Sequence, residues 1–239
     1  QCSRFLNDCH EESIVLTPAE KQKMIDSVPE WFHSIDFGDG VFSEGRQPRG
    51  TMLWDQFDIP IRNIKNKRVL DIGAWDGKFS FLCEQSGAET VLAVDVSQGR
   101  SNSNGFHVAK KTLNSKVVHV DEDFLNLKPT EVGKFDLIIF AGVLYHLENP
   151  LGGFRALKEL LSNTGLIVIE TTTLPDEIEE PYIKFHLKRD LNNDPTNFWT
   201  PSPSCVEQML IEAGLVSTLH KRRTHYKRRS IFHAVHGGQ

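Results

Sequence analysis

The sequence predicts a doubly wound α/β fold on a mostly parallel sheet, and three observations predict it. From Lys67 onward, short runs that are apolar along their whole length alternate with helical segments, as strands covered on both faces by crossover helices do. The first run ends in an acidic residue and a glycine turn, Asp71-Ile72-Gly73. The chain closes on two further strand-like runs that could pair as a hairpin.

Each element follows from local chemistry. Thr17-Pro18-Ala19-Glu20 is a helix start, with Thr as N-cap, Pro in the first turn and Glu third, and the helix runs on toward Pro29. Residues 31–50, rich in aromatics, Gly and Arg, read as functional loop. Then come a strand at 68–72, a helix closing at Gly87, a strand at 90–96, a helix at 106–114 and a strand at 117–124. A strand at 134–143, an amphipathic helix at 151–161 and a strand at 165–173 follow. Residues 175–200, polar and aromatic, form an insertion, and a helix capped by Ser202 or Ser204 ends at Gly214. The hairpin takes 216–226 and 230–237. The expectation is about seven strands, six parallel and one antiparallel from the C-terminal hairpin. Residues 1–65 form an N-terminal helical and loop cap over the substrate, and 66–239 the main domain with 175–200 as lid.

Composition narrows the function classes. The 239 residues are 39% hydrophobic and 25% charged, which supports a core and excludes global disorder. A formal charge of -5 argues against nucleic-acid binding by bulk electrostatics. No window approaches the roughly 18 apolar residues of a membrane helix, and QCSRFLNDCHEES lacks a signal pattern. The chain is therefore expected in the cytoplasm with its four cysteines reduced and Cys83 in the core, Cys2–Cys9 being the bridge to consider otherwise. The histidines lack HxxxH or HxH spacing, so no metal is expected.

The segment from Val69 to Phe79 is strand, glycine turn and helix. Gly73 lets backbone approach a ligand and Gly77 suits tight packing, but the spacing fits neither GxGxxG nor a Walker lysine pattern. Val94-Asp95-Val96 ends the second strand 24 residues after Asp71, where a carboxylate can accept from both hydroxyls of a ribose. Asp123-Phe124 after the third strand suits an adenine, the acid accepting from its amine and the ring packing on its face.

The D-I-G-x-x-D-G run, the acidic end of strand two, Asp123-Phe124 and F-D-L-I-I-F-A-G-V-L-Y-H resemble a class I S-adenosylmethionine-dependent methyltransferase, over residues 67–175. Trp31-Phe32-His33-Ser34-Ile35, Tyr145-His146 with Asn149-Pro150-Leu151, Glu170-Thr171 and Asn197–Pro201 are similar to the family of the tRNA wobble-uridine 5-oxyacetate (carboxymethyl)transferase, and the short acidic chain to its small-molecule branch. The resemblance implies a Rossmann-like sheet, S-adenosyl-L-methionine as donor and S-adenosyl-L-homocysteine as product. It implies Asp71, Gly73, Asp76 and Gly77 around the methionine part, with Trp75 lining the cofactor. Asp95 with Val96 would hold the ribose, Asp123 with Phe124 the adenine, and Ala141, Gly142 and Tyr145 the sulfonium end. Carboxy-S-adenosylmethionine is the alternative donor; Tyr145 matches a family tyrosine, whereas Arg46 and Arg49 would have to replace its lysines.

Methyl transfer asks the protein to align a nucleophile, exclude water and, for a hydroxyl, accept a proton. His146 and His33 are the candidate bases, followed by Asp36 and Glu170; each could equally serve structure, in a packed turn, a loop anchor or a strand end. Trp31, Trp54 and Trp199 form either a drying lid or the small core of the cap and insertion. Arg46 and Arg49 suit an anionic substrate group or a solvated loop. The run His220–Arg229, with six Lys or Arg in ten residues, suits tRNA or a solvated hairpin turn. Three functions are thus open: methylation of an O, N or S atom of a small molecule, modification of a wobble uridine, or a non-catalytic adenosyl-binding module.

Overall fold

The computed structural model describes residues 15–46, 57–59, 64–96, 103–222 and 228–238. Arg49, Trp54, Cys2 and Cys9 lie outside the described residues. The chain divides into two compact units, Gln1–Val132 and Gly133–Gln239.

In the first unit, α1 (Pro18–Asp26) opens on the expected capping box, Thr17 and Glu20 satisfying each other's backbone N–H. It stops three residues short of Pro29, because the Ser27 hydroxyl donates to the Met24 carbonyl and closes the last turn. Residues 31–46 hold only two isolated bridges, Trp31–Gly45 and Asp36–Phe42, in keeping with an irregular loop. Strands β1 (Arg68–Ile72), β2 (Thr90–Asp95) and β3 (Val118–Asp121) pair in parallel in the order β3-β2-β1. Helices α2 (Lys78–Gln85) and α3 (Ser103–Leu113) connect them, and the single turn α4 (Pro129–Val132) follows β3. Phe81 and Phe106 meet at 5.2 Å between ring centroids, both fully buried, and each contributes roughly 2–3 kcal/mol. Cys83 is buried and unbridged. Gly77 adopts φ +87°, and a Cβ there would lie 2.5 Å from Phe81 and 2.7 Å from Phe106, so only glycine lets α2 start against these rings.

In the second unit, β4 (Phe135–Ala141) leads through a 3-10 turn (Leu144–His146) into α5 (Pro150–Leu160), capped by Asn149. Strand β5 (Leu161–Thr172) begins four residues earlier than expected, because Leu161 pairs with Phe135 across a register shift. The insertion contains two three-residue strands that no periodicity announced, β6 (Ile183–Phe185) and β7 (Trp199–Pro201), paired antiparallel. Ser202 caps α6 (Pro203–Glu212) through its side chain. Strands β8 (Leu215–Arg222) and β9 (Arg229–His236) form the hairpin, β9 antiparallel to both β5 and β8. The main sheet has seven strands in the order β3-β2-β1-β4-β5-β9-β8. Since β9 alone opposes its neighbours, six strands run one way and one the other, as predicted.

Burial shifts the titration of a carboxylate in the first unit's core. Asp71 in β1 is wholly buried, and burial raises its carboxyl to about 6 from an ordinary 3.8, although the Ser80 hydroxyl, 2.6 Å away, and the nearby His33 oppose the rise. Between those values the folded chain holds a proton that the unfolded chain has released. Stability must therefore fall as pH rises through roughly 4 to 6, by about 2–3 kcal/mol in all. Asp71→Asn, which keeps an acceptor for Ser80, is expected to flatten that slope and to raise the melting temperature at neutral pH. Calorimetry across the window checks it; parallel pH dependence in both proteins would contradict the assignment.

Candidate functional site

The loop between β1 and α2 has a constrained backbone. Gly73, Trp75 and Gly77 all have left-handed φ, at 71°, 54° and 87°. The Gly73 N–H donates to the Val94 carbonyl at 2.8 Å. Asp95, at the tip of β2, accepts from the Trp75 N–H and from the Val96 N–H, each at 2.7 Å. Its carboxylate is thus fixed in direction by backbone, and Val96 beside it is partly exposed.

Asp76 does something the sequence did not announce. It is 2% exposed, and one oxygen accepts from the backbone N–H groups of Phe32 and His33, each at 2.9 Å. The other oxygen bonds Nδ1 of His33. A buried carboxylate needs such donors, since one left without them costs several kcal/mol. The loop after β1 thereby fastens the Trp31–Arg46 segment. His33, 5% exposed, meets Phe32 and Phe79 edge-on, and Phe32 lies 5.1 Å from the Trp75 ring. Trp31 is buried with its Nε1–H on the Ile25 carbonyl and its ring edge-on to Phe37, the geometry of a small core. Arg46 pairs with Glu30 on the surface. Asp36 accepts from the Gly38 N–H at 2.8 Å. Asp123 caps the turn after β3 by accepting from the Leu125 N–H at 2.9 Å, and Phe124 is buried.

The second unit brings together three residues that the sequence presented separately. Glu170 in β5 is buried, and Arg229 at the start of β9 grips both of its oxygens. The same guanidinium donates to the Tyr145 hydroxyl at 3.3 Å and lies 5.2 Å from the centre of its ring. Burial alone would push the Arg229 guanidinium down, but Glu170 and Tyr145 reverse this and hold it above its ordinary value. Ala141 ends β4, and Gly142, with φ +75°, passes 3.3 Å from the Tyr145 oxygen at the place a Cβ would occupy. Arg229 was visible only as one cation in a basic run. The usable signal was that a carboxylate inside an apolar strand requires a cation from a neighbour.

His146 follows Tyr145 in the 3-10 turn and is partly exposed. Its Nδ1 lies 3.0 Å from the Thr196 carbonyl and 2.9 Å from the Thr196 hydroxyl; the carbonyl calls for a hydrogen on Nδ1, and the hydroxyl suits either tautomer. The Thr196 hydroxyl also donates to Asp194 at 2.7 Å. The insertion is tied to this turn twice more, by the Phe198 N–H on the Tyr145 carbonyl and by Trp199 Nε1–H on the Leu147 carbonyl, each at 2.8 Å. Of the basic run, Arg222 is held by Asp176, Thr173 and the Leu174 carbonyl, and Arg229 by Glu170; residues 223–227 lie outside the described residues. Among the described residues no group of three His, Cys, Asp or Glu could hold a metal, and no helix is long and apolar enough to cross a membrane.

A family model described as a methyltransferase domain matches residues 56–220. Curated relatives include a tRNA U34 carboxymethyltransferase of Desulfotalea psychrophila, 26% identical over 75% of this chain and 54% of its own length. One of the same name from Pseudomonas syringae pv. tomato is 28% identical over 70% of this chain and 50% of its own. The chain thus spans about half the length of these relatives. Among solved structures, the N-terminal domain of EvdMO1, crystallised with SAH and D-fucose, superposes with a TM-score of 0.70 at 14% identity, over 96% of this chain and all of that one (100%). A putative S-adenosylmethionine-dependent methyltransferase from Listeria monocytogenes gives 0.61 at 13% identity, covering 80% of this chain and 100% of its own. These likenesses bear out the Rossmann-like fold.

If Asp76 acts as an anchor, Asp76→Ala should expose residues 31–46, and Asp76→Asn, which can still accept both backbone N–H groups, should do so far less. Hydrogen exchange at the Phe32 and His33 amides checks this: protection is expected to drop by roughly tenfold or more in the alanine variant. Unchanged protection there would show that other contacts hold the segment.

Proposed function

We propose, since the chain belongs to the methyltransferase domain family, that it transfers a methyl group from S-adenosylmethionine to an O, N or S atom of a small-molecule acceptor. The single observation that carries the donor assignment is the Asp95 carboxylate, aimed by the N–H groups of Trp75 and Val96 at the end of β2 beside a left-handed glycine turn. A carboxylate has about four acceptor sites, which suits the paired hydroxyls of a ribose. The residues present fit an adenosyl group in this respect, with Gly73 and Gly77 allowing close backbone approach. Asp71 supports the loop from within β1. Asp76 is assigned to the N-terminal segment rather than to the cofactor, because it is buried and three bonds from Phe32 and His33 already occupy its oxygens, whereas Asp95 is only half-buried and takes two from the backbone. When bound, S-adenosylmethionine supplies a methyl carbon activated by its sulfonium.

The chain's own part is to position and to move a proton. His146 is the better candidate base: it follows Tyr145 in the turn after β4, is partly exposed and has its Nδ1 against Thr196, and a histidine can exchange a proton with a hydroxyl or amine acceptor. His33 is assigned a positioning role, since its Nδ1 is engaged by Asp76 in a buried setting.

The names of the relatives favour a second reading, tRNA wobble-uridine modification with a methyl or carboxymethyl donor. Two observations favour the first. Arg229, the half-buried cation beside Tyr145, is neutralised by Glu170 and so offers little net charge to a carboxylated donor. Arg222 and Arg229, two cations of the basic run, are engaged inside the protein rather than presented to phosphates. A non-catalytic adenosyl-binding module is the third reading, and turnover of the donor to S-adenosylhomocysteine excludes it.

Native mass spectrometry of the purified chain should detect a co-purifying adenosyl ligand. Asp95→Ala should weaken S-adenosylmethionine binding by roughly 1–3 kcal/mol, about 5- to 150-fold, in calorimetry; an unaltered affinity would remove Asp95 from the site. His146→Ala should lower kcat by roughly 100-fold or more with little change in donor affinity, and should abolish the acid limb of the rate profile. A variant that keeps both rate and profile would show that another group takes the proton.

A further inference from the structure

We propose that the insertion is a self-association surface, through which two copies of this chain pair about a two-fold axis with their β6 edges antiparallel. Its inward contacts are made, as described above. Its outward side has three properties that belong together.

The first is an open strand edge. The His186 N–H donates to the Phe198 carbonyl and the Ser202 N–H to the Tyr182 carbonyl, each at 2.7 Å. Residues 182, 184 and 186 therefore turn their backbone toward β7, and Ile183 and Phe185 turn theirs away. The small sheet contains β6 and β7 alone. Nothing among the described residues continues it beyond β6.

The second is apolar exposure. Tyr182, Phe185 and Leu187 are 55%, 52% and 64% exposed. Phe185 and Leu187, two residues apart and so on one face of the extended chain, make an apolar surface of the kind that marks an interface, and Tyr182 adds a ring on the other face.

The third selects the partner. Glu177, Glu179 and Glu180 precede β6, whereas Lys184, Lys188 and Arg189 lie within and after it, all exposed. The three glutamates and both lysines have no ion-pair partner among the described residues. An antiparallel two-fold arrangement sets the acidic stretch of each copy beside the basic stretch of the other, with the apolar side chains at the axis. The surface is thus complementary to itself, as an isologous interface must be. A polyanion fits less well, because residues 176–190 hold five carboxylates against three cations. A lysine on a sheet edge ordinarily discourages pairing; here the glutamates of the second copy answer it.

Pairing would also restrain the turn that carries Tyr145 and His146, because the insertion's other side is bonded to that turn. This consequence for activity rests on the methyltransfer reading; the association itself does not, so failure of one is distinguishable from failure of the other.

Sedimentation velocity of the full chain over a concentration series, at low and high salt, provides the test. The expected result is a monomer–dimer equilibrium that weakens with salt. Glu179→Lys with Glu180→Lys, and separately Lys188→Glu with Arg189→Glu, should each weaken self-association by roughly tenfold or more. Mixing the two variants should restore dimers, now of one chain of each kind. Circular dichroism establishes that the exposed substitutions leave the fold intact. A wild-type chain that stays monomeric throughout overturns the proposal, as do dimers that persist unchanged in both variants. A monomer that instead binds bulk tRNA, and loses this in Lys188→Glu with Arg189→Glu, reassigns the surface to a polyanion.

Discussion

The requirement that a buried carboxylate be met by donors shapes both units more than any other constraint. Asp76 shows it most fully. Once the carboxylate after β1 is buried, its two oxygens must find N–H groups, and they find them 43 and 44 residues earlier in the chain, at His33 and Phe32. A segment with almost no regular structure is thereby fixed on the glycine turn after β1. Asp95, half-buried, makes a shorter tie of the same kind between the tip of β2 and Trp75. Glu170 does it in the second unit by drawing Arg229, and with it the start of β9, onto the end of β5. Each pairing is costly to break and contributes modestly when intact. What these pairings chiefly supply is definition: they decide which irregular segment lies where.

That division explains what the sequence made legible. Strands such as Val69–Ile72 and Leu137–Phe140 announce themselves because parallel strands are buried on both faces and need unbroken apolar runs. Capping chemistry is equally local, so Thr17 and Glu20 could be read as a pair, and Ser202 as one of two candidate caps. The partners of the carboxylates were not legible. Glu170 and Arg229 stand 59 residues apart, and only the β5–β9 pairing brings their strands together. Strands β6 and β7, at three residues each, are too short for any alternation to register. His33 and His146 looked alike as lone histidines near aromatic residues. Their surroundings separate them: one has its ring nitrogen on a buried carboxylate, the other on a backbone carbonyl with its ring partly exposed.

The difference has chemical weight. A partly exposed histidine can exchange a proton with a bound group, as a proton acceptor must. A histidine bonded to a buried carboxylate has that nitrogen committed and loses the carboxylate's support if it moves. Position on the chain made both candidates; burial and the hydrogen-bond partner distinguish them, and the proposed roles of base and anchor rest on that difference.

The insertion follows from the same reasoning. It was expected as a lid, yet a lid that opens freely would have to break the bonds from Thr196, Phe198 and Trp199 to the Tyr145–Leu147 turn together. Several bonds that fail only in concert act as a clamp, because the entropy of ordering the segment is recovered only when all are made. The insertion thus braces the turn that carries the proposed base, and any opening of it as a lid would have to release these bonds together.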